Sequence, residues 1–159
     1  MALACLQELN CDSVPACGTC PSCQRLAQSQ AQEFLYMIEP TGGKIKVDQV
    51  RELMPFLNLQ SWAKHRFVII DQVETINIQA ANALLKSLEE PPEGVHFILI
   101  SSALSQVLPT LRSRCQVVQF GALAPEELSS LCPELEPWQA IWSLGRLSLA
   151  RKLLTEEWS

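Results

Sequence analysis

Four cysteines within a short stretch, Cys11, Cys17, Cys20 and Cys23, form the pattern C-x5-C-x2-C-x2-C. Zinc takes four thiolates in a tetrahedron with Zn–S near ~2.3 Å, and a C-x2-C turn delivers two of them from one tight loop. Gly18 relaxes the backbone between the second and third thiols, while Pro15 and Pro21 stiffen the flanks. Four thiolates leave no position for water, so an ion held here is structural and not catalytic. Four unligated thiols in a reducing compartment are the competing reading. Cys5, Cys115 and Cys132 fall outside the spacing and read as small apolar residues.

A second chemistry concerns phosphate. The run Phe67–Asp71, FVIID, closes an apolar segment with a carboxylate that could support a Mg²⁺ ion. The next residue, Gln72, is an amide and cannot polarise water as a base. Glu74 lies two positions on, and alternation need not point it the same way. Asp71 also reads simply as the end of a buried strand. No G-x4-G-K-[ST] loop occurs: Gly43-Lys44 is the nearest candidate, with Ile38 and Ile45 where glycine and Ser/Thr are required. Without backbone N–H groups to cradle the β- and γ-phosphates, neither ATP binding nor hydrolysis by the chain alone is expected. In Ser113-Arg114-Cys115, an arginine after a short helix could reach a phosphate held by a neighbouring chain. The plain alternative is an arginine favoured by the helix dipole.

These residues require elements to position them. Ala2–Leu9 is apolar at helical spacing, and Pro21–Gln32 continues the cysteine knuckle as helix. Phe34–Glu39 reads as a strand closed by Pro40 and the Gly42-Gly43 turn. Val47–Leu59 is helical, with Pro55 predicting a kink or an early end. Arg66–Asp71 is a strand of nearly all apolar residues, as in a parallel sheet covered on both faces. Asn77 can cap a helix with the stripe Ile78, Ala81, Leu84, Leu85 and Leu88, which Pro91-Pro92 stops. A third strand spans His96–Ser102, a short helix Val107–Arg112, and a fourth strand Gln116–Phe120. From Pro125 the pattern is helical, with breaks at Pro133, Pro137 and Gly145. Four strands alternating with helices predict an α/β sheet followed by a small helical appendix.

Composition bounds the rest. With 159 residues, 48% apolar and 18% charged, the chain is long and apolar enough for one domain plus a small addition. A net charge of −5 supplies no general attraction to nucleic-acid phosphates, so any DNA contact is local or shared with partners. No run approaches the roughly 18 apolar residues that span a bilayer. The start MALACLQELNC lacks the basic n-region of a signal peptide. A cytoplasmic address without membrane contact is expected, and seven cysteines there favour metal over disulfides.

Ala80–Pro92, AANALLKSLEEPP, followed by Thr110–Cys115, TLRSRC, completes a specific order of motifs. That order resembles the AAA+-type core of bacterial DNA polymerase III clamp-loader subunits, most of all the delta-prime members. The resemblance covers about Ala2–Gly121 and more loosely Leu123–Ser159. It implies an α/β core over 1–121, with a zinc module at about 11–23, and a partial helical lid over 122–159. In the family the zinc module follows the first helix with a longer first spacing, C-x8-C, so Cys11 is the first ligand here with Cys5 as fallback. The resemblance makes Phe67–Asp71 a degenerate Walker B strand and places Ser101 and Ser102 at a sensor-like strand tip. Serines ending a strand are also ordinary.

The second sensor arginine of active relatives falls at Ser148, with Arg146 and Arg151 out of register. Arg114 would be an arginine finger acting in trans on ATP bound to an adjacent gamma or tau subunit, and Arg112 a bystander. Lys86, four residues from Asn82, would face a central chamber and DNA, or be a solvated lysine. The chain reads as starting after the family's first strand and phosphate loop. The missing strand would lie between His96–Ser102 and Gln116–Phe120, leaving a gap or forcing those two to pair. The implied role is a non-hydrolysing delta-prime-like subunit that joins gamma/tau and delta subunits to load a sliding clamp on primed DNA. The alternatives are a gamma/tau ATPase fragment, opposed by Gln72, a zinc-stabilised protein-interaction remnant, and a stand-alone NTPase.

Overall fold

A computed structural model describes residues 7–27, 34–59 and 64–155 of the chain. Cys5, the start of the expected Ala2–Leu9 helix and the end of the expected Pro21–Gln32 helix lie outside the described residues. Residues 7–10 are helical. The chain divides into two compact units, Met1–Gln116 and Val117–Ser159.

In the first unit, helix α1 (Pro21–Ala27) leaves the cysteine loop, and strand β1 (Leu35–Ile38) leads to helix α2 (Val47–Leu57). Strand β2 (Arg66–Ile70) is followed by helix α3 (Ile78–Glu89), strand β3 (Val95–Leu99) and the short helix α4 (Pro109–Arg112). The sheet order is β1-β2-β3, all parallel, with Ile38 opposite Ile70 and Ile70 opposite Leu99. Every residue of β2 is buried, as a central parallel strand demands. Val68 and Ile70 join Ile38, Val50, Leu53, Ala81 and Leu84 in the main core under α2 and α3. Phe67 alternates to the other face and packs with Phe34, Leu35 and Ile98.

Local chemistry sets the element ends. The Ala80 N–H donates to Asn77 Oδ1 at 2.7 Å, capping α3. Pro55 sits inside α2, which ends two residues before the expected Leu59. Its last carbonyls are met by a buried cation: Arg66 Nη1 donates to Phe56 O at 2.6 Å, with its guanidinium over the Phe56 ring. Pro109 opens α4 at its first turn, where a missing N–H costs nothing.

The expected fourth strand is corrected. Gln116–Phe120 forms no strand, and among the described residues the sheet has three strands. Its apolar members Val117, Val118 and Phe120 are exposed. A strand is held by a ladder of backbone hydrogen bonds, and β-branched and aromatic residues without that ladder do not make one. Of the two outcomes foreseen for this part of the sheet, direct pairing with the third strand does not occur.

The second unit holds α5 (Pro125–Leu131), α6 (Pro137–Trp142) and α7 (Leu147–Thr155), separated around Pro133, Pro137 and Gly145 as expected. Leu128, Leu135 and Ala150 form its core. Among the described residues, no helix is long and apolar enough to cross a membrane.

Candidate functional site

The knuckle brings all four expected thiols together: the sulfurs of Cys11, Cys17, Cys20 and Cys23 lie within 4.8 Å of one another. Cys11 and Cys17 sulfurs are 3.7 Å apart, and Cys11 and Cys20 sulfurs 4.0 Å. Tetrahedral zinc with ~2.3 Å bonds sets thiolates about 3.8 Å apart, so the donor set fits that ion with little movement. Gly18, at φ +72°, makes the left-handed turn between Cys17 and Cys20.

Backbone N–H groups already point at the sulfurs, Ser13 and Cys17 to Cys11, and Cys20 to Cys17. The Thr19 hydroxyl, followed by the Thr19 and Cys20 N–H groups, lowers the Cys17 thiol to about 6. The Cys17 and Ser13 N–H groups lower that of Cys11. Burial pushes Cys23 up to about 12, a bias that a coordinated cation reverses. Two contacts far apart in sequence tie the knuckle to the entry of β2. Asn10 exchanges hydrogen bonds with the His65 backbone, and Asp12 pairs with Lys64 at 2.7 Å.

At the opposite ends of β2 and β3, Asp71 leaves the strand with its N–H donating to Ile38 O. Gln72 follows in the left-handed region at φ 49°, so the turn that carries Glu74 inward begins at once. Glu74 Oε1 accepts from the Ser102 N–H at 3.2 Å and the Ser102 hydroxyl at 2.8 Å. Its Oε2 is buried without a hydrogen-bond partner. Ser101 Oγ accepts from the Ala103 N–H. Ser102 is therefore tied to Glu74, a partner that strand alternation alone did not point to; the intervening turn supplies it.

Arg114 lies just past α4, beyond the capping residue Ser113. Its Nε donates to Glu89 Oε1 at 2.6 Å, Nη2 pairs with the same oxygen, and Nη1 donates to Thr110 O at 2.9 Å. None of these partners belongs to the Asp71–Ser102 edge. Arg112 is exposed, as are Asn82 and Lys86 on one face of α3, and Arg146 and Ser148 in the second unit. Glu89 was not among the residues expected to matter. It lies 25 positions from Arg114, and no local spacing could have signalled the pair.

Known proteins extend this picture. Residues 1–124 match the family model described as DNA polymerase III, delta subunit. The chain is 40% identical over 142 residues to the DNA polymerase III subunit delta' of Pseudomonas aeruginosa, covering 84% of this chain and 42% of that protein. It is 35% identical over 127 residues to the tau subunit of Escherichia coli, covering 76% of this chain and 19% of that one. The chain thus spans less than half the length of these relatives. Among solved structures, a gamma subunit-related protein of Thermotoga maritima shares 30% identity at a TM-score of 0.56, over 77% of this chain and 45% of that one. A RuvB mutant from the same organism aligns at a TM-score of 0.59, over 84% and 49% of the two chains, with 14% identity; that likeness concerns the fold alone. With a family match over most of its length and delta' and tau relatives on either side, the chain belongs to the DNA polymerase III clamp-loader family as a delta-prime-like member.

Proposed function

We propose that the chain acts as a delta-prime-like subunit of a DNA polymerase III clamp loader, presenting Arg114 to ATP held by a neighbouring gamma or tau subunit. The observation that carries this reading is the position of Ser113-Arg114-Cys115, directly after α4, with Arg114 partly open to solvent. A guanidinium at a subunit edge can neutralise charge that develops on a transferring phosphoryl group. The chain's own nucleotide chemistry is reduced: Gln72 stands where a catalytic glutamate is needed, and Glu74 is occupied with Ser102. Gln72 also weighs against a gamma/tau ATPase fragment. Its partners would be gamma/tau and delta subunits, with DNA and the sliding clamp met through the assembled complex, in the cytoplasm.

Cys11, Cys17, Cys20 and Cys23 would hold one structural Zn²⁺. When bound, the ion cross-links the loop; the chain's own N–H groups and Thr19 stabilise the thiolates that receive it.

The test is DNA-stimulated ATP turnover by gamma and delta subunits with this chain added, wild type against Arg114→Ala. The expected outcome is that the variant still assembles while turnover at the neighbouring site falls by about 10³-fold. Assembly with equal turnover would remove the finger role. Failure to assemble would favour the interaction remnant, and turnover without partners the stand-alone NTPase.

A further inference from the structure

We propose that Glu89 is a positioning residue for Arg114, holding the guanidinium in a docked pose that an arriving phosphate has to displace. This rests on the reading of Arg114 as a finger.

The argument starts from the donors. Arginine offers five N–H bonds, and a bidentate grip on phosphate uses two along one edge of the plane. Glu89 Oε1 takes the Nε–Nη2 edge. On the other edge, Nη1 donates to Thr110 O at 2.9 Å, with Ser113 Oγ a longer contact at 3.4 Å. The Nε–Nη2 edge is taken in this pose, and Nη1 of the terminal edge is already engaged. Glu89 belongs to the last turn of α3 and Thr110 to α4, two helices that pack together in one unit. The guanidinium is therefore held by two separately anchored acceptors. A phosphate entering from a neighbour meets the Glu89 carboxylate as a like charge, and gripping it through the Nε–Nη2 edge requires this pair to open.

The side chains are 32% and 49% exposed for Arg114 and Glu89. Water screens such a pair, which sets the scale of the latch: strong enough to define one rotamer, weak enough for ATP on a neighbour to compete.

Glu89→Gln keeps the shape and an acceptor oxygen but removes the charge. In the complex with the ATP-holding subunits, the half-maximal concentration of this chain for stimulating turnover should fall by about 2- to 5-fold. The turnover at saturation should stay as in wild type. Glu90→Gln, next along the chain, should match wild type in both. In the free ¹⁵N-labelled chain, the Arg114 Nε–H signal should be slowed in solvent exchange and lose that protection in Glu89→Gln.

An unchanged half-maximal concentration, or unchanged exchange in Glu89→Gln, overturns the latch. A saturating turnover lowered in Glu89→Gln overturns it as well, because Glu89 would then assist the finger and not restrain it. An Arg114→Ala variant that stimulates like wild type instead brings down the finger reading itself, and the exchange measurement still separates the two failures.

Discussion

Glu74 enters the turn after β2 with one oxygen bonded twice to Ser102 and the other buried without a partner. Burial pushes its carboxyl up, but the hydroxyls of Ser101 and Ser102 and the nearby backbone N–H groups more than offset this and hold it below the usual carboxylate range. The fold thus prefers the ionised form. Its contribution to stability is complete above the unfolded value and is lost as pH falls through the lower folded value. Glu74→Gln should flatten the acid side of the melting-temperature profile below about pH 5; a profile parallel to wild type would count against it. Of the residues singled out for chemistry, the clustering of the four cysteines and the place of Ser113-Arg114-Cys115 after a short helix were legible because their signals are local: spacing, turn residues, a proline start. Glu74–Ser102 and Arg114–Glu89 were not, since each joins side chains 28 and 25 positions apart.

Gly94 marks how tightly one element meets the next. It enters β3 at φ +71°, and a Cβ there would lie 2.4 Å from the Lys64 carbonyl oxygen. The Gly94 carbonyl in turn accepts from the Arg66 N–H at 2.7 Å, so a shift to relieve the clash breaks into the β2–β3 ladder. Gly94→Ala should cost about 1–3 kcal/mol, read as a lower urea midpoint with an unchanged slope. The helices and three strands followed from periodicity and caps, including Asn77 on α3. Gln116–Phe120 misled because β-branched and aromatic residues say that a segment suits a sheet, and not that a neighbouring backbone is there to pair with it.

The molecule as described holds its cysteine knuckle to the sheet at two points. The buried Asn10 exchanges two hydrogen bonds with the His65 backbone, and the exposed Asp12–Lys64 pair is weak at a surface. Beyond that anchor, metal cross-linking would hold the largely exposed loop at residues 11–23 together. Purified chain should contain one zinc per molecule by elemental analysis. A chelator should open 11–23 to protease before the β1–β3 sheet, and Cys17→Ser should reproduce that pattern with metal present; a knuckle equally resistant with and without zinc would exclude the structural role. Short-range order was written into the chain: helix stripes, a fully apolar central strand, proline stops and thiol spacing all act within a few residues, where chain connectivity already keeps groups close. That Gln116–Phe120 joins no edge of the sheet seen among the described residues, which carboxylate holds Arg114, and which cation closes the end of α2 depended on segments remote in sequence. Such contacts form only once the parallel register of β1, β2 and β3 has brought their ends into one place.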